Sequence, residues 1–139
     1  MKSDKPLTII IADDDEDDRE LLKFLFNQNE KFELIGCLDS GVETVKEIMV
    51  NKNIPDILLI DMYMPLLTGS EVVKKLEESQ MVPDMYKFII STQINTAEQN
   101  KYINSPKVKF IRKPATLAEI NHLPGIILDS LHLPNNTKV

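Results

Sequence analysis

The stretch Ile57-Leu58-Leu59-Ile60-Asp61-Met62-Tyr63-Met64-Pro65 decides the fold. Four apolar residues run into a carboxylate, and a proline-bearing loop follows at once. Preceded by Asn53-Ile54-Pro55-Asp56, this short apolar run reads as a strand buried on both faces, as strands inside a parallel sheet are. Asp61 then stands at the strand's carboxyl end, the edge where open α/β sheets bind ligands.

Working outward, the same pattern recurs. Towards the N-terminus, Leu7-Thr8-Ile9-Ile10-Ile11-Ala12 is another β-branched apolar run, and it ends in Asp13-Asp14-Asp15-Glu16-Asp17-Asp18. A helix follows, its acidic first turn suited to the positive end of the helix dipole. Leu21, Leu22, Leu25 and the neighbouring Phe24 and Phe26 give that helix a wide apolar face. Residues 32–38 read as a second strand. Ser40-Gly41-Val42-Glu43 has the capping spacing that opens a helix, with Val42, Val45, Ile48 and Met49 on one face and 51–53 closing it.

Towards the C-terminus, Thr68-Gly69-Ser70-Glu71 repeats the capping spacing and predicts a third helix with Val72, Val73 and Leu76 inward. Residues 85–92 read as the fourth strand, and Asn95-Thr96-Ala97-Glu98 starts a helix that runs to about Ile103. Ser105-Pro106 stops it, residues 107–112 form the fifth strand, and Thr116 with Glu119 starts the fifth helix. Pro124-Gly125 predicts a break or kink, with Pro124 able to restart a second segment. The polar tail 134–139 is expected to fray. Five β-α alternations with short loops predict an α/β fold: a five-stranded parallel sheet with helices on both faces and right-handed crossovers.

Composition agrees. At 139 residues, 42% of them hydrophobic and 27% charged, the chain is expected to be one domain, its core about 7–131. A net charge of −6 argues against a nucleic-acid surface, since a phosphate backbone attracts a basic footprint. Cys37 stands alone, so neither a disulfide framework nor a thiolate zinc site is expected. No apolar run approaches the roughly 18 residues that span a membrane, and no signal-peptide hydrophobic region opens the chain, so a cytoplasmic location and no membrane contact are expected.

Four strand ends carry polar groups: Asp13 and Asp14, Asp61, Ser91, and Lys113. If those ends share one edge, three carboxylates crowd together. Two like charges about 4 Å apart repel by roughly 4 kcal/mol at an effective dielectric of about 20. A divalent cation removes that cost, and an all-oxygen site suits Mg2+, with Mn2+ as an alternative. Lys113 and Ser91 go beyond metal binding: an ammonium and a hydroxyl beside a cation are what phosphoryl oxygens need. An aspartate can serve as the nucleophile of an aspartyl-phosphate.

On these residues the chain resembles a response regulator receiver domain of two-component signalling, of the single-domain, chemotaxis type. The resemblance covers roughly Leu7 to Leu131 and implies a flavodoxin-like sheet of order 2-1-3-4-5. It implies that Asp61 accepts a phosphoryl group from a histidine kinase or a histidine phosphotransfer protein. Asp14 and Asp61 would bind Mg2+ directly, Asp13 through water and Tyr63 through its backbone carbonyl. Ser91 and Lys113 would hold the phosphoryl oxygens, and Phe110 would move inward as the aromatic switch. Lys113-Pro114 matches a peptide bond that is usually cis in the family. Tyr63, Thr92 and Gln93 would border the pocket, with Tyr63 shielding the acyl phosphate from water.

Some positions depart from the family pattern. The acidic run is longer than a pair requires; Asp13-Asp14 is preferred to Asp14-Asp15 because it directly follows the apolar strand, and 15–18 read as solvated helix-start charges. Phe110 stands where Tyr is frequent, so the switch would work by packing alone. Thr92 is bulkier than usual, and Ala115 replaces a larger side chain. His122 and His132 lack metal-ligand partners and read as ordinary surface or core histidines.

The expected function is a stand-alone phosphoacceptor switch, because no output domain fits after the fifth helix. It would catalyse only its own phosphorylation and dephosphorylation. Output would come through an unidentified downstream protein or a phosphorelay, read from the face between strand four and helix five, where self-association is also plausible. Two rivals remain. A haloacid-dehalogenase-type phosphatase would want an Asp where Tyr63 stands, and a cap domain. A pseudo-receiver, a binding module that is not phosphorylated, would have lost an acidic or lysine position that is retained here.

Overall fold

The computed structural model describes residues 5–131. These form five parallel strands, β1 (Leu7–Ala12), β2 (Phe32–Leu38), β3 (Ile57–Asp61), β4 (Tyr86–Ser91) and β5 (Val108–Arg112). Their order is β2-β1-β3-β4-β5, so the chain reverses its winding direction beside β1 and β3. Every residue of β3 is buried, because β1 and β4 flank it and helices cover both its faces. A fully buried Leu or Ile contributes about 1.5–3 kcal/mol of transfer free energy, which makes β3 the anchor of the sheet.

One face carries α1 (Glu16–Asn27), whose Leu22 and Phe26 pack on Ile9, Ile11, Ile57 and Leu59. Phe24 belongs to the other side of that helix and is largely exposed, against the wide apolar face expected for it. The spacing of 22 and 26 is one helical turn, whereas 24 lies half a turn away.

The opposite face is covered by α2 (Gly41–Val45), which continues as a π-helical turn over Lys46–Val50, and by α3 (Gly69–Ser79). Thr44 and Ile48, one helical turn apart, are buried, while Val42, expected inside, is exposed. In α3 the inward residues are Val72, Val73 and Leu76, as expected. Its start is a full capping box, Glu71 N–H donating to the Thr68 hydroxyl and Thr68 N–H to the Glu71 carboxylate.

After β4, α4 is short (Thr96–Asn100), followed by tight turns to Asn104 that stand where the sequence suggested continuing helix. The last helical region is two pieces, α5 (Leu117–Ile120) and α6 (Leu123–Ser130). The interruption falls at Asn121 and His122 rather than at Pro124. Proline sits instead in the first turn of α6, where its missing N–H costs no helical hydrogen bond. The expected fraying of 134–139 and the reading of His132 lie outside the described residues.

Candidate functional site

The carboxyl ends of β1, β3 and β5 meet. Asp13 directly follows β1, and its N–H donates to the Leu38 carbonyl at 3.1 Å, which fixes the turn out of the strand. Its carboxylate is fully buried and accepts the Asp15 N–H at 3.0 Å, while Arg19 donates to its backbone carbonyl at 3.0 Å. Asp15 is the N-cap of α1, accepting from the Asp18 N–H. Asp61 ends β3 and is also buried. Carboxylate oxygens of Asp13, Asp14 and Asp61 all lie within 4.8 Å of one another, and Asp14 is the exposed member.

The Lys113 ammonium answers this negative charge. It stands 3.2 Å from Asp13, 2.8 Å from Asp18 and 3.6 Å from Asp61. The Lys113 N–H donates to the Ser91 carbonyl at 2.7 Å, which ties the end of β5 to that of β4.

Burial dominates the electrostatics. It raises Asp61 to about 6, only partly offset by Lys113 and reinforced by the Asp13 and Asp14 charges. Asp13 is raised as well, again chiefly by burial and despite the Asp15 N–H and Lys113. For Lys113 burial pulls downwards, but the hydrogen bond to Asp18 and the charges of Asp61 and Asp13 outweigh it and hold the ammonium above its ordinary value. Three carboxylates packed this close could hold a cation between them. The donor set is oxygen only, with neither imidazole nor thiolate, and so fits Mg2+ or Mn2+.

The remaining candidates sit around this core. Ser91 is buried at the end of β4, its hydroxyl donating to the Gln93 carbonyl at 2.6 Å and so turned into its own loop. Thr92 and Gln93 are exposed beside it. Tyr63 follows Met62, whose N–H donates to Ile90 at 2.8 Å; the Tyr63 ring is exposed between buried Met62 and Met64.

A family model described as the response regulator receiver domain matches residues 9–123. The chain belongs to the response regulator receiver family.

The sequence of this receiver is 35% identical over 75 residues to the transcriptional regulatory protein YdfI of Bacillus subtilis, covering 54% of this chain and 34% of that one. It is 27% identical over 107 residues to a protein-glutamate methylesterase/protein-glutamine glutaminase of Syntrophomonas wolfei, covering 77% and 30%. The receiver thus spans about a third of the length of these relatives. Its fold superposes on the response regulator domain of Thermotoga maritima CheB with a TM-score of 0.72 at 22% identity, covering 90% of this chain and 93% of that one. Phosphorylation on aspartate and magnesium binding are general properties of the family.

One expectation for the receiver needs correction. The Lys113-Pro114 peptide is trans, not cis; trans is the lower-energy isomer of an X-Pro bond, and Lys113 reaches Asp13, Asp18 and Asp61 from it. The Phe110 ring lies in the core, 6.2 Å from that of Tyr102. Without a phenol hydroxyl, nothing on that ring requires water.

Asp18 was missed. It was read as a solvated helix-start charge, yet its carboxylate makes the shortest contact to Lys113. No local signal marks it, because its partner Lys113 follows a different element, β5.

Proposed function

We propose that this receiver is a phosphoacceptor switch in which an Asp61 carboxylate oxygen takes a phosphoryl group from a phosphohistidine. The P–O bond to Asp61 forms as the P–N bond to histidine breaks, and the imidazole leaves. The observation that carries this reading is the meeting of Asp13, Asp14, Asp61 and Lys113 at one sheet edge. Mg2+, when bound, neutralises charge on the transferring oxygens. Asp14 and Asp61 would hold it directly, Asp13 through water and Tyr63 through its carbonyl. Lys113 pairs with the phosphoryl charge. Ser91 gives up its bond to Gln93 and donates to a phosphoryl oxygen instead, pulling on the loop before α4.

The donor would be a sensor histidine kinase or a phosphotransfer protein, met in the cytoplasm. Output would pass to another protein, or onward in a relay, through the surface from β4 to α5, with Phe110 and Tyr102 beneath it. A homodimer through that surface is a further form of the same output.

Incubation with Mg2+ and acetyl phosphate or phosphoramidate tests the core claim, with beryllofluoride binding in parallel. A switch takes up one phosphoryl group and holds it, and Asp61→Asn abolishes uptake. Steady turnover would indicate a phosphatase, and no uptake or binding a pseudo-receiver.

A further inference from the structure

We infer that Asp18 is a positioning residue that draws Lys113 away from the phosphoacceptor in the resting protein and must release it when the phosphoryl group arrives. The inference deepens the function proposed above and rests on it. An ammonium has three hydrogens, and here three carboxylates surround it. Asp18 at 2.8 Å and Asp13 at 3.2 Å are within hydrogen-bonding reach, whereas Asp61 at 3.6 Å is not. The residue that should serve the phosphoryl group is therefore held tightest by a carboxylate outside the cation cluster.

The backbone fixes Asp18 in this role. Its N–H donates to the N-cap Asp15 at 3.0 Å, and the next residue, Arg19, donates to the Asp13 carbonyl at 3.0 Å. The first turn of α1 is thus tied to the end of β1, and the Asp18 side chain stands over the end of β5. Removing its charge has two consequences of opposite sign. The freed ammonium moves towards Asp13 and Asp61 and competes with a cation for their oxygens. The same ammonium no longer has to leave a partner to meet a phosphoryl group. General loss of structure would weaken both kinds of binding.

The test measures Mg2+ affinity by calorimetry and beryllofluoride affinity at saturating Mg2+. Asp18→Asn should weaken the first and tighten the second, each by about threefold or more for a half-exposed ion pair. Asp17→Asn, the same charge change on an exposed neighbour, should do markedly less. In a Lys113→Met background the Asp18→Asn effects should shrink to those of Asp17→Asn, and Asp18→Glu should restore the wild-type pattern. Changes of the same sign, equality with Asp17→Asn, or persistence without Lys113 would each overturn the inference while leaving the receiver function intact. A wild-type protein that bound neither Mg2+ nor beryllofluoride would instead sink the function, and the inference with it.

Discussion

The carbonyl oxygen of Asp61 lies directly against Gly69, so close that a Cβ there would overlap it and come within 3.0 Å of the carbonyl carbon. Gly69 opens α3, and its N–H donates to the Met62 carbonyl at 2.8 Å. The helix start therefore sits on the backbone of Asp61, the proposed phosphoacceptor. A glycine is needed here for closeness, since its φ is not positive.

Gly69→Ala should accordingly destabilise the fold by about 1–3 kcal/mol, the usual cost of overpacking. Ordinarily alanine stabilises a helix relative to glycine by roughly 0.4–1 kcal/mol. Gly125 in α6 supplies the contrast, because a Cβ there meets nothing within 4 Å. Thermal unfolding should show Gly125→Ala raising the midpoint and Gly69→Ala lowering it, with slower phosphorylation by acetyl phosphate in the latter. A stabilised Gly69→Ala protein would contradict the close approach.

Proton binding at Asp61 gives a second prediction. Its folded value of about 6 lies above the ordinary 3.8, so between these values the folded state holds a proton that the unfolded state has lost. Ionised Asp61 thus costs stability above pH 6, and the cost fades as pH falls through 6 towards 4. Asp61→Asn should stabilise the metal-free protein at pH 7.5 by up to about 3 kcal/mol, with the gain shrinking by pH 4.5. Protons and Mg2+ compete for the same oxygens, so wild-type Mg2+ affinity should drop as pH falls through 6. Melts in chelator across that range check the first claim, and calorimetry the second. No gain from Asp61→Asn at pH 7.5 would refute it.

A third prediction concerns Lys87, wholly buried in β4. Its ammonium pairs with Glu77 of α3 at 2.7 Å and donates to the Met85 carbonyl at 2.9 Å. Taking such a charge out of water is costly, and the Glu77 carboxylate, 32% exposed, can be solvated without its partner, so an apolar residue of similar length should serve nearly as well. Lys87→Met should change stability by less than about 1 kcal/mol in either direction. Glu77→Ala leaves the buried ammonium without its carboxylate and should cost about 2–4 kcal/mol. Urea unfolding of both variants decides this; equal losses would mean that the pair itself stabilises the fold.

These residues also show what the sequence could and could not carry. The β3 run, the capping spacings at Ser40, Thr68 and Thr116 and the order of polar strand ends are local features, and each stands in the structure where its chemistry predicted an element. The pairings of Lys87 with Glu77 and of Lys113 with Asp18 join residues on different elements, and nothing local marks either partner. Val42 is exposed because Gly41 and Thr44 form the inward side of α2, and neither gives that side an apolar signal in the sequence. The trans peptide before Pro114 shows the opposite hazard, since the expectation of cis came from resemblance and not from any residue here.

The shielding role expected of Tyr63 gives a last prediction, on the lifetime of a phosphoryl group at Asp61. Met62 and Met64 are buried, so alternation along the loop sends Tyr63 outward, with 55% of its surface exposed. The Met62 N–H, next to Asp61 in the chain, donates to the Ile90 carbonyl and holds the loop at the end of β3. We expect the ring to cover the acyl phosphate and keep water from in-line attack on phosphorus. Tyr63→Asn puts a short amide there, which leaves room for water and can hold it by hydrogen bonds. The variant should lose its phosphoryl group several-fold faster, whereas Tyr63→Phe, which keeps the ring, should match wild type. Stability should stay within about 0.5 kcal/mol in both, as usual for an exposed site. The decay of phosphorylated protein after removal of acetyl phosphate gives the rates. Unchanged or slower decay in Tyr63→Asn, or equal acceleration in Tyr63→Phe, would show that the ring does not shield the mark.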